Sequence, residues 1–358
     1  RWLEQFEDTE LDFYLFPSTP HREIHKNLIR LIKSDTKATY RLSTVSDLLA
    51  IPLWVADRFL GNRIRGFYLN MVIQKHRPHY LHALEFQGAG YISVRALNRK
   101  SDFKPKFIAT NWGSDIYWFQ NFRSHRTKII ELLRSADFYS AECKRDVSLA
   151  RNLGFSGEVL PVVPNSGGLG MEVLERELRP VQDRNVIAVK GYDGWVGRAK
   201  SGLRALEQIS NYINGLHIIV FSANSSVIRL ARKISSRSGL KITTFAKKEL
   251  NHEEVLHIMG RSLIHLGISE SDGISTSMLE AMAMGAIPVQ TSTACCDEWF
   301  SDTGVVIDEI EIGKIAQAVL RGLELSKDPS NALTNRQTII ERASKETVSK
   351  FSLRFYSS

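Results

Sequence analysis

Short apolar runs alternate with amphipathic stretches along most of the chain, and the alternation falls into two blocks. In the first block LDFYLFPS (11–18), KATYRLSTV (37–45), RPHYLHAL (77–84), PKFIATN (105–111), ADFYSAE (136–142) and GEVLPVV (157–163) read as strands. The stretches HRTKIIELLRSA (125–136) and CKRDVSLARNLG (143–154) place apolar residues at helical spacing and predict helices. A break follows at 161–180, where PVVPNSGGLG gathers turn formers and MEVLERELRP leads out as a mixed-charge segment. The second block restarts with NVIAVKG (185–191), LHIIVFSA (216–223), LKITTFA (240–246), SLIHLGIS (262–269) and IPVQT (287–291) as strands. Helical patterns separate them: LRALEQISNYI (203–213), with Leu203, Leu206, Ile209 and Ile213 on one face, then SVIRLARKISSR (226–237), HEEVLHIMG (252–260) and MLEAMAMG (278–285). Strand and helix in alternation predict an α/β protein of two doubly wound, Rossmann-like domains.

Composition narrows the class. With 358 residues and 43% hydrophobic content the chain can bury two cores. No run of about 18 apolar residues occurs, and the most apolar stretch, DLLAIPLWVADRFLG (47–61), is interrupted by Pro52, Asp57 and Arg58. The chain opens on Arg1, so its native start is expected upstream. Three cysteines, two of them the adjacent Cys295 and Cys296, fit a reducing cytoplasm. Residues 1–165 carry 24 Lys/Arg against 17 Asp/Glu, while 166–358 carry 23 against 22. That basic first half points to an acidic partner, such as the anionic inner face of a membrane or a lipid-linked phosphate, or to a plain solvated surface. Nucleic acid is not expected, because no binding signature accompanies the charge.

The densest chemistry lies in SDGISTSMLEAMAMGA (271–286), between a strand and the next helix. Ligands of open parallel sheets bind beyond the carboxyl ends of strands, and Asp272 and Glu280 both border that edge. The backbone N–H groups of Gly273, Ile274, Ser275 and Thr276 lie where a helix begins and suit a diphosphate. A carboxylate one turn in would repel phosphate but can accept both hydroxyls of a ribose or sugar diol, which assigns Glu280 that role. The alternative is a capping box of Ser277 and Glu280, with Asp272 merely ending the strand.

The spacing of Asp272 and Glu280 resembles the E-x7-E signature of retaining GT-B glycosyltransferases of the family 4 type, with Asp in place of the first Glu. Tyr80–Tyr91, the 135–155 segment, VLPVVPNSGG (159–168) and the final stretch 335–358 resemble further parts of that family, so the similarity spans nearly the whole chain. The resemblance implies two Rossmann-like domains facing across a cleft. An acceptor domain would span 1–165 together with a returning helix at about 337–358, and a donor domain 166–336. It also implies that Glu280 holds the nucleotide ribose and Asp272 the donor sugar. Cations after the first strand of the donor domain would hold the diphosphate; here that place offers Lys190 and Arg198, with Lys200 in reserve. The family order of these cations is not reproduced. On the acceptor side, FIATNWGSDIYWF (107–119) puts Trp112 where many members have histidine. Asp115 or Glu85 could then bind or deprotonate an acceptor hydroxyl, or Asp115 could cap its turn with Trp112 in the core. His79 and His82 flank a strand and read as structural.

The activity implied is transfer of a sugar from a nucleotide-diphosphate sugar to a carbohydrate or lipid-linked acceptor with retention, in polysaccharide, lipopolysaccharide or glycolipid assembly. No cofactor or metal is expected, since no D-x-D, H-E-x-x-H or C-x-x-C motif occurs. A nucleotide-sugar epimerase and a catalytically inactive nucleotide-sugar-binding protein are the alternatives.

Overall fold

The computed structural model describes residues 2–18, 28–42, 52, 54–57 and 59–357. The end of the strand expected at 37–45 and residues 47–51, 53 and 58 of the apolar run 47–61 lie outside the described residues. The chain divides into two compact units, Arg1–Gly167 with Ser349–Ser358, and Gly168–Val348.

The second unit is built on six parallel strands: β7 (Val186–Lys190), β8 (His217–Ala223), β9 (Lys241–Ala246), β10 (Ser262–Gly267), β11 (Ile287–Thr291) and β12 (Val305–Ile307). They are ordered β12-β11-β10-β7-β8-β9. Counted within the unit this is the 3-2-1-4-5-6 order of a dinucleotide-type sheet, and the winding reverses between β7 and β10. Central strands covered on both faces must be apolar on both, which is why β7, β10 and β11 read as continuous runs rather than alternating ones. One face is covered by the helices Ala199–Gln208, Ser225–Ser238 and Ile312–Leu325, through Leu203, Leu206, Ile234 and Val319. The other is covered by His252–Gly260, Thr276–Ala283 and Pro329–Ala343, through Leu256, Met259, Met278, Met282 and Ile339. The face expected from Leu203, Leu206, Ile209 and Ile213 is buried throughout, although the α-helix stops at Gln208 and a 3₁₀ turn, Ser210–Tyr212, completes it.

His265, in the middle of β10, is fully buried. Burial first, and the charge of Lys190 second, push its pKa from the ordinary 6.5 down to about 3. As pH falls, the unfolded chain therefore takes up this proton before the folded one does. The contribution is present above pH 6.5 and is lost progressively toward pH 3, at about 1.4 kcal/mol per pH unit. A His265→Leu variant lacks that linkage, so its stability relative to wild type should rise as pH drops from about 7 to about 5. Urea unfolding at both values checks this, and a pH-independent difference would contradict it.

The first unit contains a parallel four-stranded sheet, β3 (Tyr80–Leu84), β4 (Lys106–Thr110), β5 (Phe138–Ser140) and β6 (Glu158–Val159), in that spatial order. A separate parallel pair joins β1 (Asp12–Leu15) and β2 (Thr39–Leu42). The helices Tyr91–Leu97 and Arg123–Ser135 pack on the larger sheet through Val94, Leu97, Ile129, Leu132 and Leu133. The C-terminal residues are anchored here. Tyr356 Oη lies 2.7 Å from His82 Nδ1, and the Phe355 ring packs edge-on against Trp2. His82 Nε2 lies 2.7 Å from Thr110 Oγ1, and burial holds the ring neutral, with its pKa lowered to about 3. By contrast, Ile339 and Ala343 are core residues of the second unit. Among the described residues no helix is long and apolar enough to cross a membrane.

Candidate functional site

The reversal point of the second unit's sheet gathers the charged residues. β7 ends at Lys190, and the loop that follows is zipped to the segment after β10: Arg198 N–H donates to Ile268 O (3.0 Å) and Glu270 N–H to Val196 O (2.7 Å). The turn 271–275 then leads into the helix Thr276–Ala283, whose N-cap is Ser275. Lys190 Nζ donates to Ser275 Oγ at 3.3 Å and stands 3.8 Å from Asp272 Oδ2. A lysine and a helix amino terminus thus meet at one carboxyl edge, an arrangement that favours an anion. Of the four N–H groups expected to be free, that of Gly273 is taken by Asp272 Oδ1 at 3.0 Å. Ile274 and Ser275 are buried, whereas Thr276 is half-buried at the helix start.

Glu280 sits one turn further along the same helix. It is 5% exposed, but its carboxylate does not enter the apolar layer: Oε1 lies 2.6 Å from Nε2 of His252, whose side chain is 47% exposed. His252 opens the helix His252–Gly260 directly after a capping box formed by Asn251 and Glu254. The reading of Ser277 and Glu280 as a capping box is not what forms. The helix starts before Ser277, whose Oγ pairs with Ser275 Oγ at 3.1 Å, and Glu280 turns to His252 instead.

The three candidate cations differ in how they are held. Arg198 Nε lies 3.0 Å from Glu270 Oε1, and Nη1 donates to Gly194 O and Gly197 O at 2.9 and 2.8 Å, so the guanidinium braces its own loop. Lys200 Nζ is 2.7 Å from Asp193 Oδ2. Lys190 has the longest ion pair of the three and is the one placed beside the Ser275 helix start.

In the first unit, Glu85 follows β3 with a positive φ of 103°, a conformation costly for a side-chain-bearing residue. Its carboxylate accepts the N–H groups of Gly88 (2.7 Å) and Ala89 (3.2 Å). A side chain at Gly88 would crowd Glu85 Oε2 at 2.8 Å and Ser18 Oγ at 3.2 Å, so the Glu85 carboxylate would have to shift. Asp115 Oδ2 accepts the N–H groups of Trp112 (2.8 Å) and Phe86 (3.0 Å). Burial, then the charge of Glu85, raises the Asp115 pKa well above its usual 3.8, and burial likewise raises that of Glu85. The half-buried Glu85 and the buried Asp115 are close enough to interact electrostatically, and the Asp115 carboxylate holds loop backbone through both N–H groups. Trp112, next to them, is 43% exposed. Deeper in the unit, Asn111 Nδ2 donates to Asp146 Oδ2 (2.8 Å), and Asn165 Nδ2 donates to Asn111 O (2.8 Å). This buried network is spread over 54 positions of sequence and has no local signature.

No protein-family model matches the chain, and no curated protein matches it in sequence. Solved structures do match. A glycosyltransferase from Rickettsia africae aligns with a TM-score of 0.66 at 14% identity, over 97% of this chain and 98% of that one. The Anabaena HepE protein, in complex with UDP and glucose, aligns with a TM-score of 0.67 at 13% identity, over 97% and 99%. Sucrose-phosphate synthase from Thermosynechococcus elongatus gives 0.65 at 12% identity, over 97% and 88%.

The fold is GT-B. Each GT-B half seen here rests on its own parallel sheet, and the second carries the reversed strand order at which Lys190 and the 271–276 turn lie. His252 is the site residue that motif reading missed. Its only sequence signal is its place at the start of the helix following β9, on the same carboxyl edge of the GT-B sheet as Lys190.

Proposed function

We propose that the protein is a retaining glycosyltransferase that moves a sugar from a nucleotide-diphosphate sugar to a hydroxyl of a carbohydrate or lipid-linked acceptor. One observation carries this reading: Lys190, the Ser275 helix start and Glu280, paired with the exposed His252, occupy the switch-point edge of a dinucleotide-type sheet. The UDP and glucose bound by the similar HepE protein support the choice of donor class.

In this mechanism the glycosidic bond to the diphosphate breaks and negative charge accumulates on the leaving oxygens. Lys190, with the helix terminus at Thr276, stabilises that charge in place, with no reorganisation at the moment of reaction. Glu280 accepts the ribose hydroxyls, and Asp272 addresses the sugar. Arg198 holds the loop that carries the phosphate subsite, and its guanidinium exchanges Glu270 for a phosphate oxygen when the donor arrives. The departing phosphate takes the proton of the acceptor hydroxyl on the face it vacates, which keeps the anomeric configuration. Asp115 and Glu85 shape the acceptor loop, beside which Trp112 offers a ring to an apolar sugar face.

Fixed cations replace the role that a divalent ion plays in other phosphate chemistry, so turnover should persist in excess EDTA. Product analysis by anomeric NMR in the presence of chelator tests both parts. Complete, reversible loss of turnover, an inverted product, or an isomerised donor with no acceptor product would each overturn the proposal. A role in polysaccharide, lipopolysaccharide or glycolipid assembly at the cytoplasmic side of a membrane is the context that fits this chemistry.

A further inference from the structure

The helix Arg63–His76 is apolar on two opposite faces, and only one of them is covered. Gly66, Leu69 and Ile73 are buried, with Leu69 and Ile73 packed with Ile92 and Ala96 of the helix Tyr91–Leu97. The approach is close enough that a side chain at Gly66 would meet Arg95 Cβ at 2.7 Å. On the other face Ile64, Phe67 and Met71 follow one another at the spacing of a single helical stripe. They are 36%, 50% and 52% exposed. Just before the helix the chain turns through left-handed conformations at Gly61 and Asn62, which leaves Phe59 and Leu60 exposed beside the stripe.

Basic residues predominate around this stripe; the Asp57 carboxylate at the helix start is fully buried and paired with Arg65 at 2.7 Å. From Arg58 to Leu84 the sequence contains five Lys/Arg and no Asp or Glu. Arg63 and Lys75 are exposed near the two ends of the stripe, and the Arg99 guanidinium lies over the Phe67 ring, 4.7 Å from its centroid. An apolar stripe bracketed by cations, on the more basic half of the chain, is the pattern of a helix that lies in the interface of an anionic bilayer. Phe67 and Met71 would enter the acyl boundary, while Arg63, Lys75 and Arg99 meet the headgroup phosphates.

We propose that this helix face docks the first unit onto a bilayer surface containing anionic lipid. The inference rests on exposure and charge in the first unit and does not depend on the donor chemistry of the second.

The test is co-sedimentation of the full chain with vesicles of phosphatidylcholine alone and with about one-third phosphatidylglycerol, at low salt and at about 0.5 M salt. Wild type should bind the anionic vesicles, and salt should weaken that binding. The combined variant Ile64→Ser, Phe67→Ser and Met71→Ser should lose about tenfold or more in partitioning. Arg63→Glu with Lys75→Glu should lose roughly twentyfold. All the substituted side chains are at least one-third exposed, and unchanged thermal midpoints confirm that the fold persists. Three results would overturn the proposal: no binding of wild type to anionic vesicles, equal binding to neutral ones, or undiminished binding by the serine variant. A dimer that the serine variant turns into a monomer, with no vesicle binding by wild type, would give the face to a second copy and overturn the lipid assignment.

Discussion

Lys190→Ala is expected to lower kcat/KM for the nucleotide sugar by roughly a hundredfold or more, with most of the loss in kcat. The lysine ends β7 at the strand-order reversal and reaches Ser275 Oγ at 3.3 Å. An amine at that point is worth most when the diphosphate gains charge as it leaves. Asp272, 3.8 Å away, tempers the lysine and limits its pull on the ground state. Lys190→Arg should recover only part of the rate, because a planar fork replaces a compact point charge. The side chain is partly exposed, so neither change threatens the core. Initial rates over a range of donor concentration check the prediction, and a fall smaller than about threefold would remove Lys190 from the chemistry.

Glu280→Ala is expected to act differently, raising KM for the donor by about ten- to a hundredfold, the worth of charge-assisted hydrogen bonds to a diol. Because Glu280 also meets His252 Nε2 at 2.6 Å, the same substitution could act by releasing the histidine. His252→Ala separates the two causes. If Glu280 serves the donor, removing His252 leaves the carboxylate in place and KM within a few-fold of wild type. If the pair is purely structural, both substitutions lower thermal stability alike and leave KM unmoved. Glu280→Gln keeps the shape but loses the charge, and should fall between wild type and alanine.

Much of the second unit could be read from its sequence because buried parallel strands advertise themselves. VIAVK, HIIVFSA and IPVQT are apolar on both faces, and their order with the intervening helices gives the doubly wound sheet. The place of Glu280 in the fold was legible for a related reason: the strand and helix patterns put a carboxylate one turn into a helix on a strand's carboxyl edge, where it lies. Its partner was not, because His252 lies 28 residues away and the pairing depends on how two helices are laid against the sheet. Nor could the three cations be ranked from sequence. Arg198 and Lys200 share a loop with Lys190, and only the contacts to Glu270 and Asp193 distinguish them.

Other misses have local causes. Met171–Glu177 looks like a charged linker, yet the buried Leu174, with Met171 and Val173 packed partly against the core, seats it as a helix. The helix Arg63–His76 has apolar residues on opposite faces, which cancels the one-sided periodicity that sequence reading relies on. Strand β12 is three residues long, too short to show a pattern, although the helix Ile312–Leu325 that follows it is regular. In the first unit, Asp115 could be a base or a cap from its motif alone. Its contacts to the N–H groups of Trp112 and Phe86 show it holding the loop.

The most direct measurement is calorimetric titration of UDP, GDP, ADP and TDP, and of their sugars, into wild type, Lys190→Ala and Glu280→Ala without added metal. The account predicts that at least one nucleotide series binds wild type, that Lys190→Ala weakens the diphosphate, and that Glu280→Ala weakens it through the ribose. Absence of binding across the panel, or binding that both variants leave unchanged, would contradict a donor site at the β7–β10 reversal.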